Sequence, residues 1–157
     1  MGKYIKYTRI ILLTVLSCLL LHCSGLKTGK ATIRQGVFGQ ISRAEGNFMP
    51  SPDRPTGKTV PVSRLVYIYP CLKLSDTEGM APLFTKVNKA LIEKVKSNEK
   101  GYFQIHLAPG WYSAFIVEEG PVFFANHFDG NGYVNSFEVT RHEVTRLDIQ
   151  VNYEASY

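Results

Sequence analysis

The stretch SNEKGYFQIHLAPGWYSAFIV, Ser97 to Val117, decides how the rest of this sequence is read. Ser97-Asn98-Glu99-Lys100-Gly101 gathers residues that bond their own backbone or tolerate positive φ, and so predicts a turn. Tyr102 to Leu107 then alternates: Phe103, Ile105 and Leu107 fall on one face, Tyr102, Gln104 and His106 on the other. That is the period of a half-buried strand. Ala108-Pro109-Gly110 stops it, because proline cannot donate to a ladder and glycine accepts the turn. Trp111 to Val117 supplies the next strand.

The same signals recur outward. Gly36 to Ser42 predicts an opening strand, and Glu45 to Pro61, with four prolines and two glycines, a loop. Val62 to Cys71 is nearly continuously apolar, as in a strand covered on both faces. Two patterns compete in the following segment. Phe84, Val87, Leu91 and Val95 have helical spacing, with Pro82 suited to a first turn, whereas Leu91, Glu93 and Val95 alternate. The expectation adopted is a loop from Leu72 to Asn88 and a strand from Lys89 to Lys96. Further strands are expected over Val122 to Asn126, Tyr133 to Thr140 and Thr145 to Tyr153. The last shows Leu147, Ile149 and Val151 alternating with Asp148, Gln150 and Asn152. Seven or eight strands with frequent turn signals suit an all-β Greek-key sandwich.

Gly101-x-Phe103-x-Ile105-x-Leu107-x-Pro109-Gly110-x-Tyr112 resembles the signature of carboxypeptidase regulatory-like domains. Gly36-Val37-Phe38-Gly39-Gln40-Ile41 is similar to that family's opening strand. The resemblance covers most of the chain after Gln35. It implies a transthyretin-like (prealbumin-like) sandwich, and an accessory or interaction module without catalytic residues. One enzyme family on that fold, 5-hydroxyisourate hydrolase, ends in Tyr-Arg-Gly-Ser. Here Tyr153-Glu154-Ala155-Ser156-Tyr157 lacks the arginine and the glycine, so a small hydrolase is the weaker expectation.

Lys3, Lys6 and Arg9 precede an apolar run from Ile10 to Leu21, too short to cross a ~30 Å hydrocarbon core. Basic start, short apolar centre and polar exit describe a secretory signal. Leu20-Leu21-His22-Cys23-Ser24-Gly25 resembles the end of a bacterial lipoprotein signal, with lipid attached at Cys23. Val15-Leu16-Ser17-Cys18 fits the small-residue rule before the cysteine better but shortens the apolar run, so Cys18 remains the alternative. An ordinary signal peptide cut near Gly25 is the simpler competitor. The expected organisation is a signal at 1–22, a flexible tether at 23–34 and the sandwich domain at 35–157. Ser24 after the cysteine points to the outer membrane of a bacterial envelope. The lack of an acidic cluster behind it points to the periplasmic leaflet.

The formal charge of +5 owes three units to the amino-terminal basic residues; 15 basic and 13 acidic residues remain after them. Such a balance leaves no electrostatic footprint for nucleic acid. Of three cysteines only Cys71 lies in the globular part, where it reads as a small buried apolar residue. His106, His127 and His142 sit singly, without the spacing of a zinc site. Asp129-Gly130-Asn131-Gly132 reads as a tight turn, since the further ligands of a calcium loop are missing. No metal, cofactor or catalytic grouping is expected.

The aromatic residues give the one pointer to a site. If Tyr112, Ala114 and Ile116 face the core, Trp111, Ser113, Phe115 and Val117 face away. A strand apolar on both sides either lies under a second layer or displays an interaction patch. Leu83 and Phe84 could supply that layer; otherwise Trp111 and Phe115 form a face for an envelope protein or glycan. The sequence thus describes a non-enzymatic, membrane-anchored envelope lipoprotein that binds a partner or serves as scaffold. Fatty-acid labelling in a bacterial host should mark the wild-type chain and Cys18→Ala but not Cys23→Ala. The reverse pattern would move the anchor to Cys18.

Overall fold

A computed structural model describes residues 29–50, 52 and 56–157. The signal and both candidate lipid sites, Cys18 and Cys23, lie outside these residues, as does the first half of the tether. The described chain is an all-β sandwich. Its strands are β1 (Gly36–Asn47), β2 (Lys58–Pro61), β3 (Leu65–Pro70), β4 (Thr77–Met80), β5 (Leu83–Val87), β6 (Glu93–Lys96) and β7 (Tyr102–Ile105). The remainder are β8 (Gly110–Val117), β9 (Phe123–Phe124), β10 (Ser136–Val139), β11 (Val144–Arg146), β12 (Ile149–Val151) and β13 (Ala155–Ser156). A single 3-10 turn, Leu74–Asp76, separates β3 from β4.

Each sheet is built on one long strand. In the first, β1 pairs antiparallel with β7 and β2, and parallel with β11, β12 and β13. In the second, β8 pairs antiparallel with β3 along its length and with β9 and β10 elsewhere. β6 borders β3, and β4 and β5 extend the sheet beyond β9. The predicted strands on either side of Pro109 therefore do not pair with each other: β7 belongs to one sheet and β8 to the other. The Tyr112 hydroxyl secures this crossing by donating to the Ala108 carbonyl, 2.8 Å away.

The main core fills the space between the sheets. Val37 and Ile41 of β1, Phe103 and Ile105 of β7, and Ile149 and Val151 of β12 meet Val66 and Ile68 of β3 and Tyr112, Ala114 and Ile116 of β8. These positions are the alternating ones, so the parity read from the sequence is the parity of the fold. At one end of the sandwich the filling turns polar. Glu118, with only 5 % of its side chain exposed, accepts from Arg64 Nε and from the Tyr153 hydroxyl, both at 3.1 Å. Burial, then the Glu118 charge, pushes the Tyr153 phenol above its ordinary pKa, so it stays a donor.

Three expectations need correction. Leu72 to Asn88 is not a loop: it holds the 3-10 turn and the β4–β5 hairpin, and the strand after it begins at Glu93 rather than Lys89. Nor do the positions at helical spacing form a helix, because Phe84 is held by a second layer of packing described below. Glu45 to Pro61 is partly strand, since β1 runs on to Asn47 and pairs with β2. The expected seven or eight strands become thirteen among the described residues, because β2, β4 and β5 form in segments expected as loop and bends break the closing chain into β11, β12 and β13.

Gly101 shows how strictly the opening turn is specified. Its φ is +77°, and a Cβ there would stand 2.1 Å from the Ile41 carbonyl oxygen. An L-residue must strain its own backbone and also displace β1. Gly101→Ala should therefore cost about 1–3 kcal/mol in urea unfolding. Gly130→Ala, where nothing lies within 4 Å, should change stability by less than about 0.5 kcal/mol.

Candidate functional site

The outer face of the second sheet carries a smaller core of its own. Phe115 on β8 is fully buried, with Phe84 at 6.0 Å and Tyr69 at 5.7 Å, both edge-on to its ring. Such crossed rings are a favoured aromatic geometry. Leu72, Ala125 and Val134 complete the cluster. Leu72 and Val134 belong to two segments that cross this face and pair with each other. Val134 N donates to Leu72 O at 3.0 Å, Leu74 N donates to Gly132 O at 3.1 Å, and Lys73 lies opposite Tyr133.

Buried polar groups bolt this cap to β8. The Asn135 side-chain amide donates to the Ala114 carbonyl (3.1 Å), and its side-chain oxygen accepts from His127 N (2.8 Å). Asn135 has φ of 40°, a conformation that asparagine tolerates better than most residues. Leu72 N donates to the Ser113 hydroxyl at 3.2 Å, which satisfies a serine with no exposed surface.

The two residues of the candidate interaction face, Trp111 and Phe115, are thereby separated. Both point to the outer side, but Phe115 is beneath the cap, whereas Trp111 is 57 % exposed beyond its margin. Of the two alternatives open to this strand, Phe115 takes the covered one, because Leu72, Phe84 and Val134 also need burial and one cluster serves all of them. Leu83, expected in the same layer, instead packs against the main core, because adjacent strand residues face opposite sides.

Where the cap ends, a cleft of about 460 Å³ opens between Trp111, Cys71, Ser136 and the loop residues Asp129, Asn131 and Tyr133. Sequence reading assigned Cys71 to the core and Asp129 to a turn. The turn is present: Asp129 Oδ1 accepts from the backbone N–H of Asn131 at 2.9 Å and of Tyr133 at 2.8 Å. Cys71 is a free, half-buried thiol in the cleft wall. Burial pushes its pKa up; a Ser113 hydrogen bond opposes this and the Asp129 charge adds to it, with a net upward shift. It is held as a thiol, not as a thiolate nucleophile. The Lys73 ammonium lies over the Tyr133 ring, 5.0 Å from its centre.

Among the described residues no group of three or more His, Cys, Asp or Glu is placed to hold a metal ion. Nor is any described helix long and apolar enough to cross a membrane. No family model matches the chain, and neither a curated protein nor a solved structure matches it. The resemblance to carboxypeptidase regulatory-like domains thus rests on the motif string alone. Single substitutions should separate the two aromatic residues. Phe115→Ala should lose about 3–5 kcal/mol, and Trp111→Ala less than about 1 kcal/mol, as expected for an exposed position, both read from denaturant melts.

Proposed function

We propose that the chain is a non-enzymatic envelope lipoprotein. In this reading the sandwich is of the transthyretin-like Greek-key kind and is tethered through Cys23 to the periplasmic leaflet of a bacterial outer membrane. It presents the Trp111 cleft to a binding partner. The observation that carries the reading is the exposure of Trp111 at the mouth of a cleft, beside the cap that covers Phe115. Large aromatic side chains are typical anchors of binding surfaces. Trp111 leaves more than half of its surface outside the packing, next to the polar groups of the cleft. The basic, apolar and cysteine-containing opening sequence supports the tether.

The catalytic alternative, a hydrolase on the same fold, has a specific obstacle. Of the two potential nucleophiles in the cleft wall, Cys71 and Ser136, the surroundings of Cys71 favour the protonated thiol, and among the described residues no histidine lines the cleft beside Ser136.

Crosslinking in intact envelopes, followed by capture of the lipidated protein, tests the binding role. The wild type should retain a crosslinked envelope component that Trp111→Ala loses at unchanged melting temperature. Equal capture by both proteins would remove the cleft from the function.

A further inference from the structure

The chemistry of the cleft narrows what it binds. Trp111 offers an exposed aromatic side chain. Around it stand a carboxylate, an amide, a hydroxyl and a phenol, from Asp129, Asn131, Ser136 and Tyr133. Asp129 is aimed by its own turn: Oδ1 is occupied by two backbone donors, and among the described residues none donates to Oδ2. The Asn131 side-chain amide and the Ser136 hydroxyl likewise have no hydrogen-bond partner among the described residues. A carboxylate accepts from hydroxyls, an amide both donates and accepts, and a hydroxyl does either. Together they match a ring carrying adjacent hydroxyl groups on its rim and C–H bonds on its face.

Size and charge agree. A volume of about 460 Å³ lies in the range of small-ligand sites, about 300–1,000 Å³. A flat protein interface would instead spread over about 800 Å² on each partner. The one ionised group in the cleft wall is the Asp129 carboxylate, which repels anions.

Resting on the reading of this cleft as a binding site, we propose that it is a saccharide subsite. A neutral or N-acetylated pyranose stacks on Trp111, and Asp129 Oδ2 and Asn131 hold its hydroxyls. An acidic sugar is rejected by Asp129. The N-acetylglucosamine units of envelope peptidoglycan and the neutral units of imported polysaccharide share this chemistry, and the choice of probe distinguishes them.

Trp111 is the only tryptophan in the sequence, so its emission reports the site directly. The full chain in detergent is titrated with chitohexaose and a peptidoglycan digest, with cellohexaose and maltohexaose, and with an oligouronate as the acidic probe. A saturable shift in emission is expected with at least one neutral or N-acetylated probe and none with the oligouronate. A response confined to chitohexaose and the digest selects the peptidoglycan source; a response to the glucans selects imported polysaccharide. Asp129→Asn keeps the Oδ1 acceptor that shapes the turn, and should weaken binding about tenfold or more through loss of the charged acceptor. Asn131→Ala should weaken it as well, which keeps the test open if Asp129→Asn proves unstable. Saturating sugar should also slow alkylation of Cys71 in the cleft wall.

Absence of a saturable response to any sugar would overturn the proposal, as would tighter binding of the oligouronate or full affinity in both variants. A Trp111-dependent crosslink to an envelope protein, with no sugar response, would overturn the saccharide assignment while leaving the binding role intact.

Discussion

Everything on the outer side of the second sheet follows from one constraint: β8 is apolar on both faces. Its inward residues, Tyr112, Ala114 and Ile116, are covered by the first sheet. Phe115 on the opposite side needs cover as well, and a two-layer sandwich has none to offer there. The chain meets the need with a third, partial layer, drawn from the segment after β3 and the segment before β10. Burying a phenylalanine is worth about 1.5–3 kcal/mol, and the crossed contacts with Phe84 and Tyr69 add to it. Because the cap is only as wide as its apolar cluster, it stops short of Trp111. The cleft is the space left at its edge.

Much of the frame was legible in the sequence because strand parity is a strong signal. Phe103, Ile105, Tyr112, Ala114, Ile116, Ile149 and Val151 all point where alternation places them. The resemblance to a known motif agreed with that alternation and implied a sandwich. It did not indicate that the strands on either side of Pro109 part company, nor that the closing chain lies parallel to β1. Pairing direction is set by contacts distant in sequence, and no local pattern encodes it.

The cap and the cleft were the least legible parts. In β4 and β5 only Phe84 is buried, so neither strand carries an alternation, and the helical spacing of Phe84, Val87, Leu91 and Val95 is a coincidence of composition. β2 is an edge strand with three of its four residues exposed, and its flanking prolines and glycines read as loop. Trp111 could be singled out because parity turned it away from the core. Asp129, Asn131 and Tyr133 could not, because a DGNG turn explains its own composition. Only the fold shows that this turn stands beside Trp111.

The parallel union of β1 with β11, β12 and β13 has a consequence for how the chain reaches its native state. Gly36 is paired with Val144, Ile41 with Ile149 and Gly46 with Ala155, so one whole edge of the first strand waits for the last segment of the domain. Contacts so distant in sequence carry a large loop-closure cost before they return any stability, and folds dominated by them form slowly. Until Val144 to Ser156 is in place that edge of β1 has no strand to pair with, so the first sheet is completed only by the end of the domain.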